Sequence, residues 1–435
     1  MYFKRNIDRE LLDWKEEPGR KPLLVRGARQ VGKSSSIRKL GESFELFVEV
    51  NFEELKGVHA LFEGDLTPQL LCENLSIMLD AEIIPGKTLL FFDEIQACIP
   101  AISSLRFFYE KMPDLHLVAA GSLLEFALAD LPSFGVGRIR SVYLFPLSFD
   151  EFLIATGQEK LLIMKKKANS QSPLLPPIHE KLLEMLKKFL IIGGMPEVVG
   201  KFVSDNDLRG CQRVLDDLVS SLRADFSKYK DRVPSSRIRE VFEAVVHQAG
   251  GKFVYKKASY NLNTGQIKEA LELLISAGLV IPVTHSSANG LPLGAEVNTK
   301  RRKMLLLDTG IFQRLNQLNI SDLLFSDALS MVNKGGIAEQ FLGLEILKNA
   351  PCYRQTELYY WHREALNSNA EVDYVIQHNN EVLPIEVKSG SKGSMTSMYL
   401  FLKEKGVKYG CRLSLENFSE YESIKVLPLY AYTNL

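Results

Sequence analysis

Residues 27–34 read Gly27-Ala28-Arg29-Gln30-Val31-Gly32-Lys33-Ser34, a glycine, four residues, and then Gly-Lys-Ser. Glycine at the two ends lets backbone N–H groups turn inward around phosphate oxygens, where a side chain would stand in the way. A helix following the loop would add its positive N-terminal end. The spacing therefore points to a bound triphosphate. Lys33 would reach the β- and γ-phosphates, Ser34 would ligate Mg²⁺, and Ser35 would close the nucleotide-contacting segment. ATP and Mg²⁺ are the ligands such a loop implies.

A triphosphate site needs a second carboxylate centre. The apolar run 88–92 (TLLFF) ends in Asp93-Glu94. Such a run marks a central parallel strand covered on both faces, and ligands of open α/β sheets sit at the strands' carboxyl ends. On a strand neighbouring the loop, Asp93 would hold Mg²⁺ through water, while Glu94 would orient and deprotonate the attacking water. Taken alone the run could equally be a strand entering solvent; the loop upstream favours the catalytic reading. Ser122 ends the run 115–120 after Gly121 and would sense the γ-phosphate or the water, or simply make a turn. Arg138 precedes the next strand. It would serve as an arginine finger on a neighbouring subunit's nucleotide, or be a plain surface charge.

A second charged set lies near the C-terminus, in Glu371-Val372-Asp373-Tyr374-Val375-Ile376 and Leu383-Pro384-Ile385-Glu386-Val387-Lys388. Period-two alternation puts Asp373 on the face opposite Val372 and Tyr374, and puts Glu386 with Lys388. Paired as a hairpin around His378-Asn379-Asn380, the two segments would bring Asp373, Glu386 and Lys388 together. Two carboxylates there would bind Mg²⁺ beside a scissile phosphate, and the lysine would stabilise or help activate a water. An amphipathic hairpin with a surface salt bridge shows the same pattern. Lys300-Arg301-Arg302-Lys303 and Lys256-Lys257 would contact DNA phosphates without reading sequence, or form solvated charge runs. Beyond Tyr255 and Tyr260, no aromatics interleave with them to suggest single-strand stacking.

Elements must position these residues. Strand-like runs alternating with helical stretches over 1–155 predict an α/β class, a three-layer domain with a parallel sheet. Residues 156–232 read as a helical lid or linker. Within it, 164–177 (MKKKANSQSPLLPP) has a loop composition with solvated lysines, and 193–196 interrupts the periodicity. In 233–330, two helices are followed by strands at 279–284 and 303–307, a winged-helix-like order; the second helix starts after the N-cap residue Asn263. Residues 331–435 would form a small α/β domain.

Composition narrows the classes. Lys plus Arg and Asp plus Glu both number 53, so any nucleic-acid footprint is a local patch and not a global charge. Five scattered cysteines without a CxxC pair argue against structural zinc and a disulfide framework. No run of about 18 apolar residues suggests a membrane span, and the charged start MYFKRNIDRE lacks a signal core. A reducing cytoplasm is the expected compartment.

LLVRGARQVGKSS at 23–35, VNFEE at 50–54, FFDEIQ at 91–96, AAGSLLEF at 119–126, GRIRSVYLFPLSFDEFL at 137–153 and Gly193-Gly194-Met195-Pro196-Glu197 together resemble a group of prokaryotic AAA+ ATPases. In these, the ATPase precedes a C-terminal domain that was long uncharacterised. The resemblance spans the chain. It implies an AAA+ core, a helical lid, a winged-helix-like middle and a terminal domain similar to restriction endonucleases of the PD-(D/E)XK type. In such a core Glu339, on the preceding helix, would be the additional acid beside Asp373, Glu386 and Lys388; Val372 stands where the first motif usually has proline. Ring assembly follows from the resemblance too, a hexamer included. No lid residue matches a second sensor arginine. Two functions are left open: a motor that drives a DNA-binding or DNA-cutting domain, or an ATP-dependent switch whose later domains bind DNA or a protein without cleavage.

Overall fold

A computed structural model describes residues 1–122, 124–129, 137–229, 232–317, 336–363, 370–388 and 395–435. The chain divides into two units, the first comprising 1–145 with 350–355 and the second 146–349 with 356–435.

In the first unit, β1 (Leu23–Arg26), β2 (Leu46–Asn51), β3 (Thr88–Asp93), β4 (His116–Ala120) and β5 (Arg140–Tyr143) form a parallel sheet in the order β2-β3-β4-β1-β5. Every residue of β3 and β4 is buried; their apolar runs 89–92 and 117–120 are shielded on both faces, which their lack of alternation predicts. Around the sheet lie α1 (Ile7–Glu16), α2 (Lys33–Gly41), α3 (Pro68–Leu79), α4 (Ile99–Lys111) and α5 (Leu124–Ala129). Phe52, Phe62, Phe92 and Phe108 meet edge to face within one core, with ring centroids 5.4–6.1 Å apart. Segment 350–355 belongs here because Tyr143 N–H, at the end of β5, donates to Cys352 O at 2.7 Å. One expectation changes. The strand carrying Asp93 is not hydrogen-bonded to the loop strand; β4 lies between, pairing Val118 with Leu23 and also with Phe91.

The second unit holds α6 (Phe149–Ala155), α7 (Glu159–Lys167), α8 (Pro176–Ile192), α9 (Pro196–Asp205), α10 (Leu208–Asp225), α11 (Ser235–His247), α12 (Thr264–Ser276), α13 (Thr309–Leu315), α14 (Ile337–Lys348) and α15 (Thr396–Lys405). Its strands are β6 (Val280–Ser286), β7 (Val297–Leu306), β8 (Leu358–His362), β9 (Glu371–His378), β10 (Glu381–Val387), β11 (Gly410–Ser414), β12 (Ser419–Tyr421) and β13 (Ile424–Pro428). They make one sheet in the order β12-β13-β11-β10-β9-β8-β6-β7. Asn263 caps α12 through a capping box with Gln266, as its position suggests. The hairpin β6–β7 follows α11 and α12 as a wing would. It is nevertheless an edge of the eight-stranded sheet, because β6 pairs in parallel with β8 (Val283 with Leu358). The sheet thus runs through both expected later domains, and their boundary at 330/331 lies outside the described residues. Lys165 departs from the solvated reading of its run. It sits in α7 with a side chain only 1% exposed, paired with Asp150 and donating to Tyr430 O at 3.1 Å and Thr433 Oγ1 at 2.9 Å. The break at Gly193-Gly194 has a cause: Asp308 Oδ2 accepts from Gly194 N at 2.7 Å, and a Cβ on Gly193 would fall 1.9 Å from Asp308 Oδ1. Among the described residues no helix is long and apolar enough to cross a membrane.

Candidate functional site

The loop between β1 and α2 takes a path that needs its glycines. Gly27 has φ +147° and Gly32 φ +98°, and a Cβ on Gly27 would lie 2.2 Å from the backbone oxygen of Leu144. Ala28 and Val31 are buried anchors, Arg29 is half-buried, and Gln30 (φ +62°) and Ser35 are exposed. Lys33 opens α2 with its side chain turned back under the loop. Its Nζ donates to Gly27 O at 3.0 Å and Ala28 O at 2.8 Å. Burial brings the ammonium down to about 8, and Glu94 and Asp93 oppose that shift.

Ser34 Oγ, one residue on, lies 3.0 Å from each carboxylate oxygen of Asp93, the last residue of β3. The intervening β4 therefore does not keep the two apart, since both project from the carboxyl edge of the sheet. Burial holds Asp93 above the ordinary carboxylate range, partly offset by the Ser34 hydrogen bond. Arg38 is 4.0 Å from Asp93 and forms a two-pronged contact with Glu49 at 2.9 and 2.7 Å. Glu94 turns away from the strand in a left-handed conformation, φ +48°. Its Oε2 accepts from Gln96 Nε2, Ser122 Oγ and Ser122 N. Ser122 thus reaches the expected base through a direct hydrogen bond, and Gln96 is a partner the sequence reading does not assign. Arg138 is half-exposed and pairs with Glu110 of α4.

A hydroxyl and a carboxylate at 3.0 Å, beside a buried ammonium, form the hard oxygen set that suits Mg²⁺. Ser34 and Asp93 would hold the ion, and it would supply charge neutralisation for a phosphate chain.

In the second unit, Asp373 Oδ2 accepts from Val387 N at 2.8 Å, so β9 and β10 do bring Asp373 near Glu386 and Lys388. Lys388 is ion-paired with Glu386, whose Oε2 is buried with no hydrogen-bond partner. Tyr374 Oη donates to Glu339 O at 2.8 Å, tying α14 to β9. The unforeseen member is Lys303. It belongs to the basic run that reads as phosphate contacts or as solvated charge, yet its side chain is 3% exposed, with Nζ 2.7 Å from Glu339, 2.6 Å from Glu371 and 3.8 Å from Asp373. Burial alone would lower this ammonium; Glu339, Asp373 and Glu371 more than offset that and hold it above its usual value. Burial lifts Glu339 to about 7 and raises Asp373 and Glu386 as well. Arg302 is also engaged, 2.6 Å from Glu272 on α12.

This set does not fit the Mg²⁺ expected on Glu339, Asp373 and Glu386. Ammonium groups already face these acids, Lys303 at Glu339, Glu371 and Asp373 and Lys388 at Glu386, where the ion would have to sit. Lys256, Lys257, Lys300 and Tyr260 remain exposed.

Residues 19–153 match the family model of an AAA domain, and 183–322 and 334–432 match two further families, each described as a domain of unknown function. The second match runs through both the expected lid and the expected middle domain. No curated protein matches the sequence. Among solved structures, the Walker-type ATPase of Pyrococcus abyssi aligns at 15% identity over 72% of this chain and 96% of that one, with a TM-score of 0.48. The ORC1 protein of Aeropyrum pernix in complex with DNA aligns at 12% identity over 74% and 95%, with a TM-score of 0.27.

Proposed function

We propose that this chain, with its AAA domain at 19–153, binds and hydrolyses ATP with Mg²⁺. The observation that carries the reading is Ser34 Oγ at 3.0 Å from both oxygens of Asp93, directly beside the loop that buries Lys33. In the roles proposed, N–H groups of 27–35 and the Lys33 ammonium grip the phosphates. Ser34 and Asp93 hold Mg²⁺, and Glu94 takes a proton from the attacking water. Lys33 has to leave Gly27 O and Ala28 O to reach a phosphate, so the lysine is stored inside the loop until anionic oxygens replace the carbonyls. Isothermal calorimetry with ATP and Mg²⁺ tests this: micromolar binding in the wild type, at least tenfold weaker in Lys33→Ala, is the expected outcome. Wild-type protein without nucleotide affinity would overturn it.

The proposal extends to self-assembly into a ring, with Arg138 acting on a neighbour's nucleotide, and to DNA as the partner. Sedimentation with and without ATP tests the first. For DNA, the exposed Lys256, Lys257 and Lys300 support phosphate contacts. The buried Lys303 among Glu339, Glu371 and Asp373 favours a terminal domain that binds without cutting. Gel shifts on linear, forked and four-way DNA should show salt-sensitive binding, and Mg²⁺-dependent nicking of any of them would reinstate a nuclease.

A further inference from the structure

One carboxylate oxygen of Glu94 is crowded with donors. Oε2 accepts from Gln96 Nε2 at 2.6 Å, from Ser122 Oγ at 3.2 Å and from Ser122 N at 3.3 Å. Three donors occupy that oxygen's lone pairs, which leaves Oε1 as the atom able to accept a proton. Gln96 is within reach because Glu94 adopts a left-handed backbone that leads straight into the short turn Ile95–Ala97. The amide has a seat. A Cβ on Gly121 would lie 2.0 Å from Gln96 Oε1, so any side chain there would push the amide out of its place. That same oxygen is buried and has no hydrogen-bond partner. Leaving a buried amide oxygen unpaired is costly, and such a cost persists where the surroundings dictate the geometry.

We propose that Gln96, seated against Gly121, is the positioning residue that aims the base: it pins Glu94 Oε2 and leaves Oε1 alone to face the attacking water. This rests on the ATPase reading. In the step it serves, the water oxygen bonds to the γ-phosphorus and its proton passes to Oε1. The bond from phosphorus to the β–γ bridging oxygen breaks, and ADP leaves with that electron pair.

The test uses the full chain, with ATP turnover and Mg²⁺-ATP affinity measured for wild type, Gln96→Ala, Gly121→Ala and the double variant. The φ of Gly121 lies outside the left-handed region, so its new methyl acts through Gln96. Each single variant should lower kcat about tenfold or more, with affinity within about twofold of wild type. The double variant should be no worse than either single one, because the methyl then meets no amide; should Gly121→Ala not fold, the double variant and Gln96→Ala carry the comparison. Gln96→Glu replaces the donor with a like charge, so kcat should fall at least as far as in Gln96→Ala while affinity holds. A merely structural glutamine would change stability and leave the split between kcat and affinity unmoved. Wild-type kcat in these variants, or losses that add in the double variant, overturn the inference. No turnover in a wild type that still binds Mg²⁺-ATP removes the hydrolysis step itself, and no binding at all removes the nucleotide reading beneath it.

Discussion

Replacing Lys303 with methionine keeps an unbranched side chain one atom shorter and deletes its charge. The ammonium has two partners at ion-pair distance, Glu339 at 2.7 Å and Glu371 at 2.6 Å, and a third, Asp373, at 3.8 Å. After the change Glu371 keeps Lys252, 3.1 Å away, and Glu339 loses the ammonium it faces. Breaking a buried pair from one side costs about 3–5 kcal/mol. The pH dependence gives a stricter check. Burial already lifts Glu339 to about 7 with the lysine present, and without it the folded-state values of Glu339 and Asp373 rise further. Acids raised in the folded state bind more protons there than in the unfolded chain, so stability falls as pH rises through the window above 4.5. The deficit of Lys303→Met should therefore be largest near pH 8 and shrink toward pH 5.5. Trp361, 3% exposed in the second unit, and Trp14 in the first are the chain's two tryptophans. Urea unfolding followed by fluorescence in a Trp14→Phe background therefore isolates the relevant transition. Millimolar Mg²⁺ should leave the wild-type midpoint unmoved. A variant within about 0.5 kcal/mol of wild type at pH 8, or a deficit that grows toward low pH, refutes the placement of this lysine among the acids.

At the nucleotide site, burial brings Lys33 down to about 8, and phosphate oxygens would raise it on binding. ATP binding at pH 8.5 should then take up about half a proton or more, seen as a calorimetric enthalpy that depends on the buffer's ionisation heat. Near pH 7 the lysine is already charged and that dependence should almost vanish. Gly27→Ala forces a methyl against Leu144 O at φ +147°, so thermal unfolding should show a loss on the order of 2 kcal/mol, together with nucleotide affinity reduced at least tenfold. Asp93→Asn keeps the acceptor for Ser34 and removes a charge that burial disfavours. Its melting temperature should match or exceed wild type at pH 8, while ATP turnover drops about a hundredfold or more; equal turnover would remove Asp93 from the proposed metal set.

Where the chemistry lies in one local stretch, the sequence was readable. The phosphate loop needs only β1, a turn and α2 in succession, and the apolar run of β3 announces both its depth and its acidic end. The insertion of β4 between β1 and β3 was not readable, because it depends on which parallel strands meet across a hundred residues. The basic run 300–303 shows the same limit in another form. Read by itself it is a row of cations. In the folded chain Lys300 stays exposed, Arg302 meets Glu272, and Lys303 turns under the sheet. Two signals for that burial were present. Lys303 leads directly into Met304-Leu305-Leu306-Leu307, all buried, so the strand is already leaving solvent at that point. Glu371 and Asp373, two apart on β9, point to one face, and like charges so placed on a covered sheet demand a cation from elsewhere. A buried lysine three strands away, with β8 and β6 between β9 and β7, meets that demand. Paired acids on a strand are therefore as much a request for an internal ammonium as for a metal, and what decides between them is the residue that the rest of the fold delivers.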